Sequence, residues 1–294
     1  MSRYCYVAIM ALFALANPGR AEEHPKQLKV LYDAFSKSPQ LKKDWGYAAL
    51  VQYGGKQILF DTGNDADMFA HNLEQLKVDV SMLDCIVISH RHGDHTNGLL
   101  HLLKMRPDIS VYVPNDESFG GSTPRAWFER RAESLPRHMR YFDGEPPNNV
   151  PHGTAWRNAK IMQVKEPKEL FRGIHLVSTV SEVKGTLELP EMSLAVLTPK
   201  GLVVLTGCGH CGVEKVVAQA TSLDKRIHLL GGGFHLVAQS EPAIEQLAVN
   251  LGQRWKVQSV APGHCTGEQG FLTLRKQFGD RYIYAGIGEV IPLP

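Results

Sequence analysis

Beyond its first residues, this 294-residue chain lacks long apolar runs. No later segment approaches the about 20 residues that a membrane-spanning helix takes, so a helical bundle within a bilayer is excluded. Charge of one sign is also missing. Without residues 1–21, which carry Arg3 and Arg20, 30 basic residues face 30 acidic ones. Nucleic-acid binders usually show a basic excess or stripe, so no nucleic-acid partner is expected. Repeats, low-complexity tracts and obvious linkers are absent too. With 43% hydrophobic and 21% charged residues, the chain reads as one large domain with a substantial core rather than two small ones. Cysteine is scarce, at 5 residues, too few and too oddly placed for a disulfide framework.

The N-terminus, MSRYCYVAIMALFALANPGRAEEH, has a basic Arg3, an apolar run from Tyr4 to Ala16, and small residues before two cleavage points. This is the pattern of a secretory signal peptide cut after Ala21 or Ala16. The expectation is therefore a leader over residues 1–21 and a mature domain over 22–294, secreted or periplasmic, with no stable membrane insertion after cleavage. An uncleaved anchor is the alternative. Cys5 belongs to the leader, and Cys85 lies in an apolar strand as a small core residue. Cys208, Cys211 and Cys265 sit beside Gly and His, which suggests a site, with an oxidised pair as the alternative in an exported chain.

Residues 46–63, GYAALVQYGGKQILFDTG, predict two strands joined by the Gly54-Gly55 hairpin signal, with Asp61 at the second strand's end. Further strands are predicted over 83–89 and 109–114, with leucines at helical spacing over 96–105. From Asn115 to Lys160 the pattern weakens while Arg, aromatics, Gly and Pro accumulate. That irregular insertion reads as a lid whose arginines suit an anionic small molecule, or equally as a solvated excursion. The second half alternates strand and helix: strands over 201–206, 226–230 and 257–261, helices over 213–223 and 242–255. Each of those strands ends in Gly beside His: GCGHCG, GGGFHL and PGHCTG.

Three of the 13 histidines and an aspartate crowd into six positions of DCIVISHRHGDHTNG. His90, His92, Asp94 and His95 form H-x-H-x-D-H in a strand-to-helix loop. Residues two apart on an extended segment point the same way, so His90 and His92 can share one cation while Asp94 and His95 face a second position. Imidazole and carboxylate suit Zn²⁺, and also Fe or Mn. Gly93 is expected to permit a tight turn between the two pairs. Such a loop can hold two metals about 3.5–4 Å apart, a spacing that suits a bridging hydroxide. His71, His101, His138, His152, His175 and His228 lack comparable context and read as ordinary.

H-x-H-x-D-H after an apolar strand, with DTG upstream and Gly-His strand ends downstream, resembles the metallo-β-lactamase superfamily. The likeness spans roughly residues 27–294 and implies an α/β fold, a four-layer αββα sandwich with a metal site at one edge of the two sheets. More narrowly, TGCGHCG, GGGFHL, PGHCTG and the closing IYAGIGEVIPL resemble the branch of 7,8-dihydropterin-6-methyl-4-(β-D-ribofuranosyl)-aminobenzene-5′-phosphate synthase-like metallo-hydrolases. An exported chain fits poorly with making a cytoplasmic cofactor. The resemblance makes His264 the last metal-binding histidine and Asp61 an aspartate that fixes a ligand tautomer. Cys208 stands where most members carry a bridging Asp. The usual third histidine is missing, since Val180 to Leu197 contains none, and His210 is the candidate replacement. His235 is a ligand or a group orienting an anionic substrate.

The resulting expectation is an exported hydrolase acting through a metal-activated hydroxide, with Asp94 and Asp61 as its working carboxylates. The metal set is His90, His92, Asp94, His95, Cys208, His210 and His264, most simply with two Zn²⁺ ions, and the substrate an ester, lactone, amide or phosphoester. A synthase-like transferase, an iron-dependent redox enzyme and a non-catalytic binding protein are the competing readings. Oligomeric state is left open.

Overall fold

The computed structural model describes residues 24–116, 119, 145, 159–182 and 188–294. The expected leader and most of the expected lid lie outside the described residues. Among those described are thirteen strands. In chain order they are β1 (Gln27–Tyr32), β2 (Ala48–Tyr53), β3 (Lys56–Phe60), β4 (Cys85–Val87), β5 (Ser110–Pro114), β6 (Lys160–Val164) and β7 (Lys168–Phe171), followed by β8 (Ile174–Ser181), β9 (Leu189–Thr198), β10 (Gly201–Thr206), β11 (Ile227–Gly233), β12 (Ser259–Gly263) and β13 (Val290–Pro292). The α-helices are α1 (Ala66–Gln75), α2 (Gly93–Thr96), α3 (Leu99–Met105), α4 (Val213–Ala220), α5 (Glu241–Val249) and α6 (Glu268–Phe278). No helix among the described residues is long and apolar enough to cross a membrane.

Two mixed sheets result, in the orders β13-β1-β2-β3-β4-β5-β6 and β12-β11-β10-β9-β8-β7. Each is part antiparallel and part parallel: β3, β4, β5 and β6 run parallel in the first, and β10, β11 and β12 in the second. Alternation along single strands shows why they stack. In β10, Val203 and Leu205 face the other sheet, where they meet Val30, Phe60 and Val87, while Leu202 and Val204 face the helices α4, α5 and α6. In the first sheet Leu50, Leu59 and Ile86 pack under Phe69 of α1 and Leu99 and Leu102 of α3. Strands covered on both faces are apolar throughout, as parallel strands in such layers are. The four layers, helix, sheet, sheet and helix, are those expected.

The Gly54-Gly55 turn closes the β2–β3 hairpin as expected, with φ of +58° and +75°. Boundaries elsewhere shift. The 96–105 helix is two, α2 and α3, interrupted at Asn97 and Gly98. Gly98 sits against the Thr62 carbonyl, where a Cβ would come within 2.0 Å. The 242–255 helix ends as α5 at Val249 and continues as a π-helical turn, Asn250–Arg254. Gly93 does not act as a left-handed turn residue: it opens α2, and the chain turns there by entering the helix.

Candidate metal centre

The ends of the parallel strands from both sheets meet at one edge of the sandwich. From the first sheet come Asp61, just past β3, and Ser89 to His95, past β4. From the second come Cys208 and His210 past β10, His235 past β11, and His264 and Cys265 past β12. Side chains distant in sequence thus meet at the carboxyl ends of parallel strands, the usual place for ligands in α/β sheets.

Two trios form. His90, His92 and His210 bring ring nitrogens within 4.8 Å of one another, and so do Asp94, His95 and His264 with a carboxylate oxygen and two ring nitrogens. Ring centroids are 4.7 Å apart for His90 and His92, and 4.9 Å for each of these with His210. In the other trio, His95 Nε2 lies 3.2 Å from His264 Nε2, and Asp94 Oδ2 lies 3.3 Å from His264 Nε2 and 3.6 Å from His95 Nε2. Cys208 Sγ sits between the trios, 3.2 Å from His95 Nε2 and grouped with His90 as well. His90, His95, Cys208 and His264 are fully buried, whereas His92 and Asp94 are partly exposed.

Hydrogen bonds outside the trios fix which nitrogen faces inward. Asp61 Oδ2 accepts from His95 Nδ1 at 2.8 Å and from Ser89 Oγ at 2.7 Å, while Asp61 Oδ1 accepts from Ser89 N at 2.6 Å. Ser89 Oγ also lies 2.9 Å from His90 Nδ1. With its Nδ1 proton engaged by Asp61, a neutral His95 directs the lone pair of Nε2 at a second imidazole, a thiol and a carboxylate. Lone pairs converging in this way repel each other without a cation between them, so this donor set fits a metal ion. The titration of His92 agrees: burial and neighbouring imidazoles push it down to about 4, so it stays neutral as a ligand should. His95 differs. Burial disfavours charge on it, yet the Asp61 carboxylate outweighs burial and raises that ring to about 9, so without a cation its Nε2 carries a proton that an entering ion would displace. Asp94 is held well below the usual carboxylate range by His264 and His95, against the opposing effect of burial.

Residues without a motif also matter. Glu191, buried in β9, takes His210 Nδ1 at 2.6 Å through Oε1. Asp33, wholly buried past β1, accepts the His264 backbone N–H at 3.2 and 3.0 Å, and burial pushes its carboxyl up to about 8. Trp45 stays 47% exposed with its ring 4.8 Å from that of His264. Asp61, His235 and His264 all have positive φ, at 57°, 48° and 48°. Each such backbone costs a non-glycine residue about 1–2 kcal/mol, and strain of this kind gathers at functional sites.

The expected residues therefore come together: His90, His92, Asp94, His95, Cys208, His210 and His264, with Asp61 behind His95. His235 stands next to them, its ring 4.2 Å from that of His210. Cys211 does not belong, since it packs in the apolar cluster beneath α4. No disulfide forms among the described cysteines, Cys85, Cys208, Cys211 and Cys265. His71, His101, His175 and His228 join none of the metal-capable groups among the described residues. His138 and His152 lie outside those residues.

A double sheet flanked by helices with this edge site defines a class, and the sequence profile of the metallo-beta-lactamase superfamily matches residues 46–208. The chain belongs to that superfamily, whose members typically bind metal ions and are mostly metallo-hydrolases. It is 26% identical over 252 residues to the 7,8-dihydropterin-6-methyl-4-(beta-D-ribofuranosyl)-aminobenzene-5'-phosphate synthase of Methanocaldococcus jannaschii, covering 80% of this chain and 84% of that one. Among solved structures, Tm1679, a metal-dependent hydrolase of the beta-lactamase superfamily, superposes with a TM-score of 0.68 at 25% identity, covering 91% of this chain and 98% of that one. The metallo-beta-lactamase fold protein YhfI from Bacillus subtilis has the same fold, with a TM-score of 0.56 at 14% identity over 92% and 99% of the two chains.

Proposed function

We propose that the protein is a metal-dependent hydrolase with a dinuclear site. His90, His92 and His210 hold one divalent cation and Asp94, His95 and His264 the other, with Cys208 beside both. The single observation that carries this reading is the facing pair of His95 and His264 Nε2 atoms, 3.2 Å apart with Asp94 Oδ2 and Cys208 Sγ around them. Zinc suits imidazole, carboxylate and thiolate together, with iron or manganese the alternatives. When bound, such cations acidify water toward a pKa of about 7 and polarise a carbonyl or phosphoryl oxygen.

The chain's own residues supply the rest. Asp61 keeps the His95 proton on Nδ1, and Glu191 does the same for His210, so both rings present Nε2 inward. Asp94, on the open side of the site, accepts a hydrogen bond from the attacking water and orients it. Trp45 offers an exposed apolar face beside His264 for the substrate. The substrate is a small ester, lactone, amide or phosphoester, and an anionic group on it would pair with arginines of the 115–160 segment. Secretion or export to the periplasm, with loss of residues 1–21, belongs to the same proposal.

Similarity to the pterin-phosphate synthase favours a second reading, transferase chemistry at the same cations. One experiment addresses both. The purified mature chain is analysed for metal content and assayed on a panel of esters, lactones, amides and phosphoesters, and on a ribofuranosyl-aminobenzene phosphate with a dihydropterin whose 6-methyl carbon carries a phosphate-ester leaving group. The same assays follow on His92→Ala and Asp94→Ala. Bound metal with hydrolysis that both variants abolish supports the hydrolase, and turnover of the pterin pair alone supports the transferase. A normally folded, metal-free protein contradicts both.

A further inference from the structure

The three parallel strands β10, β11 and β12 end side by side, with Thr206 paired to Gly232 and Gly233 to Gly263. Past those ends the chain places Cys208, His235 and Cys265. Glycine is what lets them meet: a Cβ at Gly233 would lie 2.2 Å from the Gly207 carbonyl oxygen, 2.8 Å from Cys265 Sγ and 3.3 Å from Cys208 Cα. As a result both sulfurs and one ring nitrogen of His235 lie within 4.8 Å of one another. Cys265 and His264 are neighbours on the same 3₁₀ turn yet serve different sides. His264 faces Asp94 and His95, while Cys265 faces away, toward His235 and Cys208.

Several features of this trio exceed what packing requires. Both cysteines are buried and unoxidised, so two buried thiols converge with a half-buried imidazole. The Nδ1 atom of His235 is buried without a hydrogen-bond partner. His235 also keeps a left-handed backbone, φ +48°, that a bulky residue adopts only at a cost. Its backbone N–H donates to Cys265 Sγ at 3.3 Å, which aims that sulfur into the group.

We propose that Cys208, Cys265 and His235 form an additional subsite for a thiophilic divalent cation, fused to the two His/Asp trios through the Cys208 sulfur. A tetrahedral ion with bonds of about 2.3 Å to sulfur and about 2.1 Å to nitrogen holds such donors within about 4 Å of one another, which this trio reaches with small side-chain shifts. Two thiolates and an imidazole select zinc or cadmium over magnesium or manganese, whose preferred donors are oxygens. Each thiol gives its proton to solvent as the ion enters. The subsite does not depend on the hydrolase reading, because an ion held there needs no turnover.

Cadmium is the probe, since thiolate–cadmium bonds absorb in the ultraviolet. The full mature chain, stripped with a chelator, is titrated with Cd²⁺ while absorbance and bound metal are read together, alongside Cys265→Ser, His235→Ala and His92→Ala. The expected result is absorbance from two cadmium-bound thiolates, Cys208 and Cys265, per wild-type chain. Cys265→Ser should lose about half of that absorbance and one equivalent of metal. His235→Ala should keep the absorbance but bind that equivalent at least tenfold more weakly. His92→Ala should lose a different equivalent with the sulfur absorbance intact, which separates failure of the hydrolase reading from failure of this one. A wild-type absorbance of one thiolate, or stoichiometry unchanged in Cys265→Ser, overturns the proposal. If Cys265→Ser does not fold by circular dichroism, His235→Ala decides: affinity unchanged at every equivalent overturns it.

Discussion

Asp61 takes three hydrogen bonds on one buried carboxylate, two from Ser89 and one from His95. Replacing it with asparagine turns one acceptor oxygen into a donor that faces either the Ser89 backbone N–H or both Ser89 Oγ and His95 Nδ1. In either orientation the imidazole loses the carboxylate charge behind it, and such outer partners are typically worth 10–100-fold in metal affinity. Chelator competition on Asp61→Asn should show a loss of that size with the far-ultraviolet spectrum unchanged. Glu191→Gln acts on His210 in the same way, so its loss should fall on one equivalent of metal and spare the other. Unaltered affinity in both variants would separate these acids from the site. Cys85 tests the opposite case, a thiol with no function. It is buried between the sheets and pushed up to about 12 by that burial. A thiol reagent at neutral pH should therefore leave Cys85 unlabelled until the protein unfolds, and prompt labelling in the native state would contradict its core position.

Among the elements, the seam between β10 and β11 bears most directly on the site. Gly232 has φ +94°, and a Cβ there would lie 1.9 Å from the Thr206 carbonyl oxygen. Gly232→Ala should thus push the two strand ends apart, costing about 1–2 kcal/mol for the backbone conformation alone and more for the clash. Denaturant unfolding reads the cost, and metal content should fall with it. Native stability in this variant would mean that the strands are not held so closely. Much at this level was legible in sequence: the hairpin at Gly54-Gly55, the H-x-H-x-D-H loop, and the three Gly-His strand ends that bring His210, His235 and His264 to one edge. Glu191 and Asp33 were not legible, because a single acid at or just past a strand looks like any solvated acid until the opposite side chain is known. The turn expected at Gly93 between the two ligand pairs is present, made by the start of α2 rather than by a positive φ. Strands β6 to β9 carry no chemical motif, although Gly173 (φ +75°) turns the chain from β7 into β8 and Pro199-Lys200-Gly201 turns it from β9 into β10.

At the scale of the whole molecule, the site exists only because two sheets stack. Asp61 and Ser89 to His95 come from one, and Cys208, His210, His235 and His264 from the other. Cations bound between them as proposed would tie the sheets together, and a ligand held only by the folded state at a hundred times its dissociation constant adds about 2.7 kcal/mol. Stripping the metal with a chelator should therefore lower the melting temperature by several degrees and restoring zinc should recover it, as read by calorimetry. An identical melting curve would argue that nothing is held between the sheets. The most direct measurement is anomalous diffraction from crystals of the purified mature chain, collected across the zinc, iron and manganese absorption edges. The account predicts one peak within reach of His90, His92 and His210 and a second within reach of Asp94, His95 and His264. Well-ordered trios with no anomalous peak in metal-supplemented crystals would contradict it.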